Sequence, residues 1–168
     1  MLHAIVFARA LYAMHEAGVL TDIACKPAVK IFIRQVSEDA HWHFSAHYRS
    51  KKAAAEVRKG KPRTKAQYQA FCRKNLRHEH MVPGEVVYQL LKSMKSPTVE
   101  KIALLLQRTS HRATITKSED KLLLRDSMPS KPGDLDLGEY PDHMARYRHA
   151  KGLDRELEPR PENGWLSS

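Results

Sequence analysis

The chain has 168 residues, of which 42% are hydrophobic, and its formal net charge is +10. This length predicts one globular domain over residues 1–153 with a frayed tail over 154–168, and the hydrophobic content excludes wholesale disorder. Two cysteines are too few for a disulfide framework, so we expect a reduced, cytoplasmic setting. No apolar run is long enough to span a bilayer and no signal peptide is recognisable, so we expect no membrane partner.

The positive charge is concentrated in one stretch of the chain. From Arg49 to Arg77 there are eleven Lys or Arg residues and one acid, Glu56, so this stretch accounts for the whole net charge. Such a local excess attracts polyanions and predicts salt-sensitive binding to DNA or RNA. A basic helical face kept for solubility is the alternative. The predicted phosphate contacts are Arg49, Lys51, Lys52, Arg58, Lys59, Lys61, Arg63, Lys65, Arg73 and Lys74.

The spacing of apolar residues in the first half of the chain favours helices. One is predicted over Leu2–Ala17, with Gly18 as its C-terminal cap, and a second from Asp22 to about Val36, where alternation also allows a strand. Alanine and charge predict a third over His41–Lys59. A fourth starts at Thr64, since Thr64-Lys65-Ala66-Gln67 matches the capping box, and frays near Arg77.

The second half continues this pattern. Helices are predicted from Pro83 to Lys95, from Ser96-Pro97 onward, from the capping box at Thr116 to about Arg125, and over Pro141–Lys151. The fold class is therefore mainly α, α+β at most, with a small β element near Glu79 and His80. Its two or three short strands are predicted near Ile31–Ile33, Met81–Val82 and Ala113–Ile115.

The densest group of titratable residues is Arg77-His78-Glu79-His80, followed directly by Met81-Val82-Pro83. Histidine serves as a general base or metal ligand near neutral pH, and a carboxylate is a suitable ligand for a hard divalent cation. Side chains alternate along an extended segment, so Glu79 and His80 reach one metal only if the backbone kinks between them.

Glu79-His80-Met81-Val82-Pro83 resembles the first motif of the HNH (ββα-metal, His-Me finger) endonucleases: an acidic residue, a histidine, two apolar residues and a proline. The resemblance implies a nuclease in which Glu79 holds a divalent metal, Mg or Mn, and His80 deprotonates the attacking water. Arg77 would contact the phosphate, and His111, the next histidine along the chain, is the remaining candidate ligand.

A second polar group lies upstream. In a helix, His43 and His47 share one face, and Tyr48 and Arg49 add donors for phosphate oxygens. The candidate auxiliary groups are His43, His47, Tyr48 and His78. A metal-independent ribonuclease needs a base, an acid and a cation, which could be supplied by His43 or His47, Tyr48, Arg49, Arg77, Glu79 and His80.

Two functions outside the enzymes stay open. The basic stretch could serve a non-catalytic nucleic-acid-binding regulator, or an adaptor or inhibitor that binds an acidic protein partner. Cleavage by the purified protein separates the enzymes from these two, and binding to nucleic acid at low salt separates the regulator from the adaptor.

Overall fold

A computed structural model of the protein describes residues 2–20, 22, 24–37, 46–125, 143–150 and 152–160. The described part is mainly α-helical with one small four-stranded sheet, which confirms the predicted fold class. The chain divides into two compact units. The first contains the described residues up to 37, residues 82–110 and residue 143. The second contains residues 46–81, 111–125, 144–150 and 152–160.

The helices and strands follow one another along the chain. In order they are α1 (Leu2–Glu16), α2 (Lys26–Ser37), β1 (Tyr48–Ser50), α3 (Lys51–Gly60), α4 (Lys65–Asn75), β2 (Leu76–His80), α5 (Gly84–Ser93), α6 (Val99–Thr109), β3 (Arg112–Thr116), α7 (Lys117–Arg125), α8 (Ala145–His149) and β4 (Leu157–Pro159). A 3-10 turn, Leu153–Glu156, precedes β4. Within these described ranges, no helix combines the length and apolar character needed to cross a bilayer.

The first unit is built from α1, α2, α5 and α6. The predicted strand near Ile31–Ile33 is wrong, because these residues lie in α2. Val29 and Ile33 are buried one helical turn apart while Ile31 is 54% exposed, which is the pattern of an amphipathic helix. Pro27 is accommodated in the first turn, where its missing amide hydrogen costs no hydrogen bond.

The second unit is organised around the sheet, whose strand order is β2-β3-β1-β4. Strand β1 is parallel to β3, whereas β2 pairs antiparallel with β3 and β4 pairs antiparallel with β1. The predicted strand at Ala113–Ile115 is confirmed within β3. The strand predicted near Met81–Val82 lies slightly earlier in the chain than predicted. It is β2, which covers Leu76–His80 because it begins directly after α4 ends at Asn75.

The helix predicted over His41–Lys59 is wrong for Tyr48–Ser50, which form β1. These residues pair with two neighbouring strands, and Ser50 then caps α3 by accepting a hydrogen bond from the Ala53 amide at 3.0 Å. Residues 41–45 lie outside the described part of the chain. The same holds for residues 161–168 of the predicted tail, whereas Leu157–Pro159 form the edge strand β4.

One face of the sheet is covered by α3 and α4, which pack against each other. We call residues 51–75 the basic hairpin. Its core is a cluster of Ala53, Val57, Tyr68, Cys72 and, from β2, Leu76. The predicted capping box at Thr64 is confirmed, since Thr64 and Gln67 exchange side-chain-to-backbone hydrogen bonds.

The other face is covered by α7, α8 and the 3-10 turn. Ala113 and Ile115 of β3 pack there with Leu123, Tyr147 and Leu153. Because side chains alternate along a strand, each face of the sheet receives every second residue of β2 and β3. The sheet therefore separates the basic hairpin from α7 and α8.

Glu119 connects the end of β1 to the start of α7. One of its carboxylate oxygens accepts hydrogen bonds from the Ser50 hydroxyl at 2.7 Å and from the Thr116 amide and hydroxyl, both at 2.8 Å. The Glu119 amide donates in return to the Thr116 hydroxyl, which confirms the second predicted capping box. Only 1% of the Glu119 surface is exposed, so these donors depend on this carboxylate rather than on water.

We expect Glu119→Ala to lower the free energy of unfolding by about 2–3 kcal/mol, because it leaves the buried Ser50 and Thr116 donors without their acceptor. Urea denaturation followed by circular dichroism measures this change. Glu56→Ala, which removes a carboxylate that is 44% exposed and forms an ion pair with Lys59, is the control and should cost about 0.5 kcal/mol or less. Equal effects of the two substitutions would contradict the structural role of Glu119.

Candidate functional site

The basic hairpin presents the predicted phosphate-binding cations to solvent, with one exception. Arg49 lies just before the hairpin and is buried, at 4% exposure. The other nine are exposed along α3, the loop that joins the helices, and α4. They are Lys51, Lys52, Arg58, Lys59, Lys61, Arg63, Lys65, Arg73 and Lys74.

Few carboxylates neutralise this surface. Lys51 lies 3.9 Å from Glu156, and Lys59 lies 3.1 Å from Glu56. Five further cations form no ion pair with any residue that the structure describes: Lys52, Arg58, Lys61, Arg63 and Lys74. A surface of this kind retains its positive potential and can exchange counterions for phosphates.

A cleft of about 520 Å³ lies at the turn of the hairpin and is bordered by Lys61, Arg63, Gln67 and the half-buried Phe71. Gly60 ends α3 here, and a Cβ atom on it would overlap the Phe71 ring. Lys61 continues the chain in the left-handed conformation, with φ of 44°. The glycine thus allows the close approach of Phe71, and the cleft combines two cations with an aromatic ring.

Arg49 has an interior role. Burial raises the pKa of Tyr68 to about 12 and that of Cys72 to about 11, and the nearby Arg49 guanidinium opposes both shifts. The phenol and the thiol therefore stay protonated at neutral pH, next to a buried cation. Arg49 lies between the hairpin and the sheet, and the structure does not expose it for a phosphate contact.

Glu79 belongs to a group of charged residues on the face of the sheet opposite the hairpin. Its carboxylate accepts a hydrogen bond from Arg146 at 2.8 Å. Arg77, two residues earlier on the same face, lies 3.6 Å from Asp120 of α7. Tyr147 is fully buried beside them, and its hydroxyl has no hydrogen-bond partner among the described residues. We call Arg77, Glu79, Asp120, Arg146 and Tyr147 the Glu79 cluster.

The pKa of Glu79 is raised above its ordinary value. Burial is the main cause, the Arg146 guanidinium opposes it, and the neighbouring Asp120 carboxyl adds to it. Burial also raises the pKa of the Tyr147 phenol, reinforced by the Glu79 carboxylate. The Glu79 side chain keeps 25% of its surface exposed, so a proton can exchange with solvent at this carboxyl. A perturbed carboxyl that binds one arginine and lies beside a second carboxyl is a candidate for acid–base chemistry.

The side chains of Glu79 and His80 do not converge in the structure. They are successive residues of β2, which pairs regularly with β3 through His80 opposite Arg112, so no kink reverses their alternation. In the part of the chain that the structure covers, no three His, Cys, Asp or Glu side chains gather as a metal site. Since Arg146 also binds the Glu79 carboxylate, the set Glu79, His80 and His111 does not fit a shared Mg or Mn ion.

The remaining predicted histidines lie in different surroundings. His78 shares the hairpin face with His80, and its Nδ1 lies 2.9 Å from the Thr114 hydroxyl. His47 precedes β1 and does not lie in a helix. Its ring packs against the ring of His111, with the two ring centroids 4.8 Å apart. Tyr48 is the first residue of β1. His43 lies outside the described residues.

Asp120, Arg146 and Tyr147 were not predicted as site residues from the sequence. Asp120 has a local sequence signal for its position, because it follows the capping residue Glu119 in the first turn of α7, a helix whose start was predicted from the sequence. No local sequence signal places Arg146 or Tyr147 in this cluster, since Arg146 is 67 residues from its partner Glu79. No family model matches the chain, and neither a curated protein nor a solved structure does.

The Glu79 cluster predicts two opposite changes in the pKa of Glu79. Asp120→Asn should lower it, because a neighbouring negative charge is removed, whereas Arg146→Met should raise it, because a positive charge is removed. Titration of the Glu79 side-chain carboxyl carbon by NMR measures both shifts. Glu156→Gln, a change outside the cluster, should leave the pKa unchanged.

The raised pKa also sets a pH dependence of folding. A carboxyl whose pKa is higher in the folded state loses its proton at a cost, so stability declines as the pH rises from the unfolded value through the folded one. Asp120→Asn should reduce that decline. If both substitutions move the pKa in the same direction, the cluster does not act on Glu79 through charge.

Proposed function

We propose that this protein binds nucleic acid through the basic hairpin. The observation that supports this most directly is the set of exposed cations that have no acidic partner among the described residues: Lys52, Arg58, Lys61, Arg63 and Lys74. These residues lie on two packed helices and their joining loop, so their charges are held close together. Contacts with phosphate groups dominate the affinity of most nucleic-acid-binding proteins, and Lys and Arg supply them.

Arg49 is not part of this binding surface, because it is buried, although the sequence predicted a phosphate contact for it. Arg49 is instead buried between the hairpin and the sheet, next to Tyr68 and Cys72. The proposed binding surface is therefore smaller than the charged stretch of the sequence and consists of the solvent-exposed residues of that stretch. An acidic protein is the alternative partner for the same surface, and it becomes the better assignment if neither DNA nor RNA binds at low salt.

Phosphodiester cleavage is a second candidate, and the raised pKa of Glu79 beside Arg77 and Arg146 favours it. In the metal-independent version, Glu79 takes the proton of an RNA 2′-hydroxyl as the 2′-oxygen bonds to phosphorus. The bond from phosphorus to the 5′-oxygen breaks, this oxygen takes a proton from water, and the half-exposed Arg77 binds the phosphate. RNA cleavage that persists with a chelator and disappears in Glu79→Gln would support it. Purified wild-type protein that binds RNA and leaves it intact would remove it.

For the binding surface, we expect Lys61→Ala/Arg63→Ala to weaken binding to DNA and RNA by about tenfold at moderate salt. The logarithm of the affinity should also fall less steeply with the logarithm of salt concentration, by about 2 in slope, because two phosphate contacts are lost. Fluorescence anisotropy over a salt series measures both quantities.

The control is Lys92→Ala/Lys95→Ala, which removes the same charge from exposed positions of the first unit. It should change affinity and salt slope much less. If the two double variants weaken binding equally, net charge alone attracts the nucleic acid and the basic hairpin is not its binding surface.

A further inference from the structure

A second cleft in the sheet-containing unit has features that the basic hairpin does not explain. It measures about 400 Å³, opens where β1 and β3 begin, and is lined by His47, Tyr48, His111, Pro159 and Arg160. The ring centroids of His47 and His111 are 4.8 Å apart, and those of Tyr48 and His111 are 6.3 Å apart. The His111 ring thus lies within stacking range of both the His47 and the Tyr48 ring, and Arg160 lines the same cleft.

The backbone of these residues is fixed by hydrogen bonds that extend the sheet beyond its strands. The His47 amide donates to the Arg112 carbonyl at 2.9 Å, and the Arg160 amide donates to the His47 carbonyl at 2.8 Å. On the other side, the Met81 amide donates to the His111 carbonyl at 2.9 Å. The cleft is therefore built on three adjoining chain segments that the sheet holds together.

The orientation of His47 is also set. Its Nδ1 accepts a hydrogen bond from the Arg112 amide at 3.2 Å, which requires the proton of the neutral ring to be on Nε2. His47 can therefore donate a hydrogen bond from Nε2. Its side chain is exposed, whereas Tyr48 and His111 are half-buried.

We propose that this cleft binds one unpaired base of a single-stranded nucleic acid, stacked against His111 and Tyr48, with Arg160 at the adjoining phosphate. Unpaired bases have accessible ring faces, which aromatic side chains and imidazoles recognise, whereas bases within a duplex are already stacked. The volume of the cleft falls within the range of small-molecule sites, roughly 300–1,000 Å³. This inference rests on the proposed function and deepens it by naming single strands as the preferred ligand.

The test compares His111→Ala and His111→Phe with the wild-type protein. Each protein is titrated into three labelled ligands: a single strand, the corresponding duplex, and the single strand with abasic positions in place of its bases. Each ligand is prepared as DNA and, where it can be synthesised, as RNA. The abasic strand keeps the phosphates and removes the stacking partners. His15→Ala, in the first unit, is the control for the loss of a histidine.

His111→Ala should weaken single-strand binding by about tenfold, in keeping with the contribution of one stacked base, and should leave duplex and abasic binding unchanged. His111→Phe keeps a ring and should stay within about threefold of wild type. Equal single-strand affinity of His111→Ala and wild type overturns the inference, as does an equal loss on all three ligands, while the proposed function stands. If the wild-type protein binds none of the ligands at low salt, the proposed function itself fails.

Discussion

The alternation of side chains along β2 determines which residues of this protein can act together. Because β2 pairs in regular register with β3, Arg77 and Glu79 face α7 and α8, while His78 and His80 face the basic hairpin. Residues that are adjacent in the sequence are therefore separated by the thickness of the sheet. The acid–imidazole pair that resembles an HNH motif is divided in this way, so each member has to be assigned a role from its own surroundings.

The two faces differ in their charge balance. On the α7 and α8 side, two carboxyl groups and two arginines lie together in the Glu79 cluster, so their charges largely offset one another. On the other side, the hairpin carries nine exposed cations and few acids. A polyanion is attracted to the face with uncompensated charge, which supports a function in binding nucleic acid more directly than one in cleavage.

Local signals in the sequence were sufficient for part of this architecture. The capping boxes at Thr64 and Thr116 involve residues three apart, and the charge of the hairpin is contiguous in the chain, so both could be predicted. Strand β1 could not, because its pairing partners are Ala113, Thr114 and residues 157–159, more than sixty positions away. The burial of Arg49 follows from the same strand pairing, and the Arg146–Glu79 contact joins residues that are 67 positions apart. The composition carries no signal for either.

The surface that nucleic acid covers can be located by the acetylation rates of individual lysines, measured by mass spectrometry with and without a saturating oligonucleotide. The hairpin residues Lys52, Lys61 and Lys74 should react more slowly in the complex, whereas Lys117 and Lys121, exposed on α7, should react at unchanged rates. Protection of Lys117 and Lys121 with the hairpin lysines unaffected would contradict the account, since nucleic acid would then lie on the face that carries Glu79.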